Sequence, residues 1–370
     1  MEAPQQPRSW PWRWLVLVVG VALLASLPVL VSALPVPART LAAADLLARV
    51  RASTAAPYQG YVESRASLGV PDLPAVDRMT ALLGGITHMR AWVASPVDWR
   101  VDELSPVGER DLYHDASGTL EWSSGSRRVE QTLGEPVARF ARPADLLPPE
   151  LGRRLAAAAT ADEVRSIRPR RVAGVEALGL RITPRSGGTT VGRVDLWADP
   201  SSGLPVRVEL TARGGGGPII VTTFLDLRQA RPSDSQVRFR NPPDARLEVD
   251  EAPDLARAVE RFSPFVLPDR LGGEPRRNQV ASAASTYGER FDLVAVLAFP
   301  ARVSRRTRAF LDSVPSVNGP WGEASVIATP LLSSMVFERD QVVFALSGTV
   351  GVPVLERIAT QLARDGVAFR

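Results

Sequence analysis

The 370-residue chain carries two histidines, His88 and His114, and neither cysteine nor lysine. Without cysteine there is no disulfide, thiol nucleophile, iron–sulfur ligand or thiolate zinc site. A metal cage or nucleophilic triad built on histidine has to use His88 or His114, which lie in different segments. Tyr113-His114-Asp115 sets an acid beside a base, yet no second carboxylate or nucleophile stands at a diagnostic spacing. The tripeptide sits where a strand enters a turn, so turn chemistry is the better reading. His88 alternates with Arg90 and Trp92 opposite Met89 and Val93, which places it on a surface or in a groove. Asp98, Asp102 and Glu103 do not have the spacing of a calcium loop. Gly214 to Gly217 is followed by a strand, and with no lysine it is no phosphate loop. Arg168-Pro169-Arg170-Arg171 is the densest basic cluster and reads as a solvated connection, with an acidic partner or anionic lipid headgroups as the alternative. No catalytic residue, metal or cofactor is expected.

Composition narrows the classes further. All 44 basic residues are arginines, set against 40 acids for a net charge of +4. The arginines are dispersed and no basic block stands beside an aromatic series, so nucleic acid is not an expected partner. At 45% hydrophobic and 23% charged, the chain is globular and long enough for two domains.

The N-terminus points to a membrane. Arg8 and Arg13 precede Trp14 to Leu34, a stretch without charge. As a helix that stretch covers the ~30 Å hydrocarbon core. The arginines favour a cytoplasmic tail over residues 1–13, a transmembrane anchor over 14–34 and an extracytoplasmic body. Val31-Ser32-Ala33 also fits a signal-peptide cleavage site, which would release the body. Both readings stay open, with the anchor favoured.

The exported part is mainly β. Residues 41–52 form an amphipathic helix with Thr40 as a candidate N-cap. Strand segments follow at 58–69, 86–94, 97–104, 109–114, 119–123 and 127–133. Helix is expected over 149–166, then strands at 172–183, 190–198 and 218–228. The clearest hairpin is VGRVDLWADPSSGLPVRVEL, in which Gly203 is placed for φ > 0. Together these make an antiparallel sheet with one apolar and one polar face over 36–230. Residues 231–268 read as a linker with one short helix. A smaller domain fills 269–370, with strands at 291–299, 324–329, 334–338 and 341–347 and a closing helix at 353–364.

The opening strand PYQGYVESRASLG, the pattern formed by Trp197, Asp199, Gly203, Leu204, Pro205 and Arg207, and the tail SSMVFERDQVVFALSGTVGVPVLERIATQLA resemble the LolA/RseB (MucB) superfamily. The resemblance spans most of residues 40–370. It implies an α+β, mainly β fold: an unclosed antiparallel barrel with a helical lid, plus a small C-terminal α/β domain. It further implies a non-enzymatic binder of a lipid or a lipoprotein acyl chain. The partner is then the extracytoplasmic segment of an anti-sigma factor, as for RseB, or an ABC transporter, as for LolA-like acceptors. The sequence departs from the family in lacking a lipidation cysteine.

The apolar face offers Val62, Leu68, Met89, Val93, Leu180, Ile182, Val194, Leu196, Val206, Val208, Leu210 and Leu225 as candidate walls of a lipid cavity. Alternation does not distinguish such a cavity from an ordinary core packed under helices, and both stay open at this point.

Overall fold

A computed structural model describes residues 41–69, 77–105, 108–134, 139, 141–243, 245–251, 255–303 and 314–369. The apolar stretch 14–34 and Thr40 lie outside them. Among the described residues no helix is long and apolar enough to cross a membrane.

The first unit is built on twelve strands: β1 (Tyr58–Ala66), β2 (Ile86–Ser95), β3 (Asp98–Ser105), β4 (Gly108–Asp115), β5 (Gly118–Ser123), β6 (Arg128–Leu133), β7 (Val164–Val172), β8 (Val175–Ile182), β9 (Val191–Ala198), β10 (Pro205–Ala212), β11 (Ile220–Arg228) and β12 (Arg246–Glu251). They form one sheet in the order β12-β6-β5-β4-β3-β2-β1-β11-β10-β9-β8-β7. Among the described residues its edge strands β12 and β7 do not pair with each other, so the curved sheet is unclosed. Every pairing is antiparallel except that of β12 with β6.

Helices α1 (Ala43–Ala52), α2 (Asp77–Gly84) and α3 (Pro148–Ala158) belong to this unit. α1 begins after Ala42, which makes no side-chain cap bond. α1 and α3 lie on the concave face and form the lid: Leu46, Leu47 and Val50 of α1 and Ala156 of α3 share one core with strands β8 to β11. α3 is shorter than the sequence suggests. Arg51 donates to the carbonyls of Ala156 and Ala159, at 3.0 and 2.5 Å. Those groups would otherwise call for another turn of helix. The chain turns out at Ala159, and residues from Val164 onward are strand β7.

The hairpin motif explains how the lid is seated. Asp199 accepts the Ser201 amide at 2.7 Å and closes the β9–β10 turn. Gly203 has φ +73°, and a Cβ there would lie 2.2 Å from the Arg49 carbonyl of α1. On α3, a Cβ at Gly152 would lie 2.7 Å from Pro205. The motif residues thus hold two helices against one hairpin.

The segment from residue 231 does more than connect. Arg231 donates to the Ala94 carbonyl at 3.2 Å. After α4 (Asp234–Val237), Phe239 packs edge-on against Tyr113, with centroids 5.3 Å apart. The chain then enters the large sheet as β12.

After α5 (Leu255–Phe262) the second unit contains β13 (Phe265–Val266), β14 (Arg270–Leu271), β15 (Glu274–Ala281), β16 (Ala284–Tyr287), β17 (Val294–Pro300), β18 (Ser316–Gly319), β19 (Gly322–Ala328), β20 (Ser333–Arg339), β21 (Val342–Gly348), α6 (Val352–Asp365) and β22 (Ala368–Phe369). Eight strands form a sheet in the order β14-β15-β16-β17-β21-β20-β19-β18. Leu355, Ile358 and Leu362 of α6 are buried in its core. The units meet closely. Thr189 bridges Val350, Arg290 donates to the Glu163 carboxylate, and Phe291 and Leu331 enter the core beneath the lid.

Candidate functional site

Eleven of the twelve candidate wall residues face inward, and one does not. Leu68, Leu180, Ile182, Val194, Leu196, Val208 and Leu210 interlock with the lid helices. Val62, Met89, Val93 and Val206 join a second cluster with Tyr58 and Phe224. Leu225 is exposed. The period-two alternation that starts at Ile220 and Thr222 brings Phe224, rather than Leu225, to the concave face opposite Val62.

Most of that face is therefore filled under α1 and α3. Beyond the lid, a cavity of about 390 Å³ opens between Tyr58, Val93, Trp99 and His114 of the sheet and the segment leading into α3. Val93 is the candidate residue that lines it. His114 is buried here, stacked on Trp99 with centroids 5.1 Å apart. Its Nδ1 lies 3.3 Å from Thr119 Oγ1, which accepts from Arg142 at 3.0 Å. Tyr58 lies edge-on against Phe224 at 5.7 Å. Among the described residues the buried Tyr58 hydroxyl has no hydrogen-bond partner, and burial pushes its pKa up.

The opposite wall is polar and was not read from the sequence. Arg139 forks onto Asp145 at 2.6 and 2.9 Å, Arg154 reaches the same carboxylate at 3.1 Å, and the Arg142 amide donates to it at 2.8 Å. Burial opposes the charge of Asp145, but these donors hold its pKa down to about 2. Arg153 pairs with Glu150. The one sequence signal for this wall is Arg153-Arg154 within an alanine-rich helix. The tertiary fold carries Arg139 and Arg142 to the same mouth.

A second cavity of about 520 Å³ lies past the β4–β5 turn, between Tyr113, His114 and Leu120 and the crossing segment at Arg231 and Phe239. The turn itself behaves as turn chemistry requires: Asp115 accepts the Ser117 amide at 2.7 Å. His88 is partly exposed, stacked on Tyr61 and 3.2 Å from Glu63.

On the convex face, Asp102, Glu109 and Asp111 offer oxygens within 4.8 Å of one another. Arg100 already fills that cluster. It donates to both oxygens of Asp102 at 2.6 and 2.7 Å and to Asp111 at 2.9 Å, and it lies over the rings of Trp92 and Tyr113. A guanidinium so placed supplies the positive charge that a metal would bring. The Arg168–Arg171 cluster is not a loop connection: it belongs to edge strand β7. There Arg170 lies over Trp197 at 4.3 Å and pairs with Glu209 at 3.2 Å. Proline and arginine on an edge strand discourage further strand addition.

No family model and no curated protein matches the sequence. Solved structures do match the fold. The MucA/MucB complex of Pseudomonas aeruginosa aligns with 18% identity over 86% of this chain and 96% of that one, at a TM-score of 0.50. The chain has a LolA/RseB-like fold. MucB crystallised alone aligns over the same shares, with 18% identity and a TM-score of 0.45. A LolA superfamily protein from Nitrosomonas europaea has 12% identity and a TM-score of 0.22, over 54% of this chain and 99% of that one. The match to the MucA/MucB complex, at 18% identity, is a likeness of fold alone.

Proposed function

We propose that this protein is a non-enzymatic, extracytoplasmic binding module that takes up a lipid or lipoprotein acyl chain in the lid cavity. It acts as an RseB-like regulator on the exported segment of a membrane anti-sigma factor. The observation that carries the reading is the cavity beside Tyr58, Val93 and Trp99, left open where the lid ends. Its volume is inside the range of small-ligand sites, about 300–1,000 Å³. The two-unit plan shared with MucB, whose complex with MucA is among the matched structures, supports the regulatory version over simple carriage. The charge-free stretch 14–34 supports a single-pass anchor with a cytoplasmic N-terminus, which suits a sensor fixed beside a membrane partner. The alternative is a LolA-like acceptor that receives lipid or lipoprotein from an ABC transporter.

Lipid mass spectrometry of the full chain, expressed in an exporting host and purified in a detergent that can be told apart from lipid, tests the reading. A reproducible, near-stoichiometric lipid is expected. Its absence, with no uptake of a fluorescent fatty acid, would leave only protein–protein contact. Co-purification with the anti-sigma segment, released on adding lipid, separates regulator from acceptor.

A further inference from the structure

We infer that the arginine-rich outer face at edge strand β7 lies on the anionic headgroups of the bilayer that holds the chain. The inference goes beyond lipid uptake and rests on the single-pass anchor in the reading above. β7 (VRSIRPRRV) carries four arginines and no carboxylate. The next strands continue the charge. Arg165 stands opposite Arg181, Arg181 opposite Asp195, and Asp195 opposite Glu209. Arg181 forks onto Asp195 at 2.5 Å, and Arg193 reaches the same carboxylate at 3.7 Å. Arg170 and Arg207 share Glu209, at 3.2 and 2.8 Å. Each of these two carboxylates thus serves two guanidinium groups. Arg171 has Glu176 at 2.6 Å. Arg165 and Arg168 are exposed, and among the described residues neither pairs with a carboxylate. Strands β7 to β10 together hold seven arginines against three carboxylates, a surplus of four.

A few charges on an edge strand suffice to prevent strand addition, so the row across β8 to β10 needs another reason. Like charges directly opposite each other, as at Arg165 and Arg181, are themselves destabilising. Phosphate oxygens laid over this face would accept from several guanidinium groups, and such charge-assisted bonds are about twice as strong as neutral ones. Chain length names the source of the phosphate. Residues 35–42 separate the charge-free stretch 14–34 from α1, and eight residues span at most ~28 Å. Leu41 and Ala43, where that tether reaches the body, pack on the same core cluster as Val164, the neighbour of Arg165. The start of β7 is thereby held close to the bilayer. Anionic headgroups attract arginines that come within about a Debye length, ~10 Å, of the surface.

The chain has no cysteine, so Ser166→Cys on β7 gives a single thiol for a fluorescent donor. The labelled full chain is reconstituted in vesicles of phosphatidylcholine, with or without phosphatidylglycerol, that carry an acceptor dye on the headgroups. Energy transfer is expected to rise with phosphatidylglycerol and to fall back in high salt. Arg165→Gln/Arg168→Gln removes two exposed charges without carboxylate partners, so thermal stability should hold. The docking equilibrium should drop by on the order of 30-fold, as the loss of two arginines from the surface implies. Arg357→Gln/Arg364→Gln removes the same charge from α6 in the other unit and should leave transfer unchanged. Transfer that ignores phosphatidylglycerol, or that survives in a folded Arg165→Gln/Arg168→Gln protein, overturns the inference and leaves lipid uptake in the cavity standing. Polyglutamate that displaces β7 at a carboxylate concentration below that of lipid phosphate assigns the face to an acidic protein segment and also overturns it. A chain that alkaline carbonate strips from neutral vesicles overturns the anchor instead. Transfer that still depends on phosphatidylglycerol and salt would then support docking by this face alone.

Discussion

Arg100 and its two aspartates show how a single residue can set a pH response. Burial pushes the Asp102 carboxyl up to about 7 and Asp111 up to about 6, against the pull of Arg100. In the unfolded chain both titrate near 3.9. Between about pH 4 and 7 the folded protein therefore holds more protons than the unfolded chain, and stability falls as pH rises through that window. Thermal melts should show a midpoint a few degrees higher at pH 5 than at pH 8, and Asp102→Asn should flatten the difference. A midpoint that rises from pH 5 to 8 would contradict this assignment. Asp145 works in the opposite sense. Its depressed pKa contributes stability above about pH 4 that is lost as pH falls toward 2.

At the scale of elements, the lid depends on two close approaches to the β9–β10 hairpin. Gly203→Ala puts a side chain into left-handed backbone and against the Arg49 carbonyl. A loss of about 2 kcal/mol or more is expected in chemical denaturation. Gly152→Val wedges α3 away from Pro205 and Val208. Overpacking of this kind costs about 1–3 kcal/mol, and it should also raise dye access to the cavity. By contrast, Leu196→Ala tests the filled part of the concave face. Leu196 is fully buried against the lid helices, so about 2–5 kcal/mol of stability should go with it. A negligible loss would mean that the face is less tightly packed than it looks.

At the scale of the molecule, Phe291 and Leu331 of the second unit enter the core of the first, and a small set of polar clasps joins the two. Glu163 accepts the amides of Thr160 and Arg185, each at 3.0 Å, and the guanidinium of Arg290 from the other unit. Arg290→Ala leaves this nearly buried carboxylate without its cation. Calorimetry should show destabilisation of about 2 kcal/mol and partial separation of one unfolding transition into two. A single unshifted transition would show that Phe291 and Leu331 couple the units without the clasp.

Much of the architecture was legible because its signals are local. Alternating side chains, the Asp199 to Gly203 turn and the amphipathic helices at 41–52 and 353–364 depend on neighbours in sequence, and they reappear with ends shifted by one or two residues in most cases. Three features were not local. α3 stops early because Arg51, over a hundred positions away, caps its carbonyls. The segment around Phe239 and β12 has no strong pattern of its own and is ordered by Tyr113 and β6. The arginine mouth gathers residues from a loop and a helix. The sequence by itself determined which side chains face the concave side, with Leu225 the exception, and the absence of thiol and lysine chemistry. Only the tertiary structure decided where that side is packed solid and where it stays open. That depends on how far the lid helices reach, and hydrophobic periodicity is the same for a filled core and an empty one.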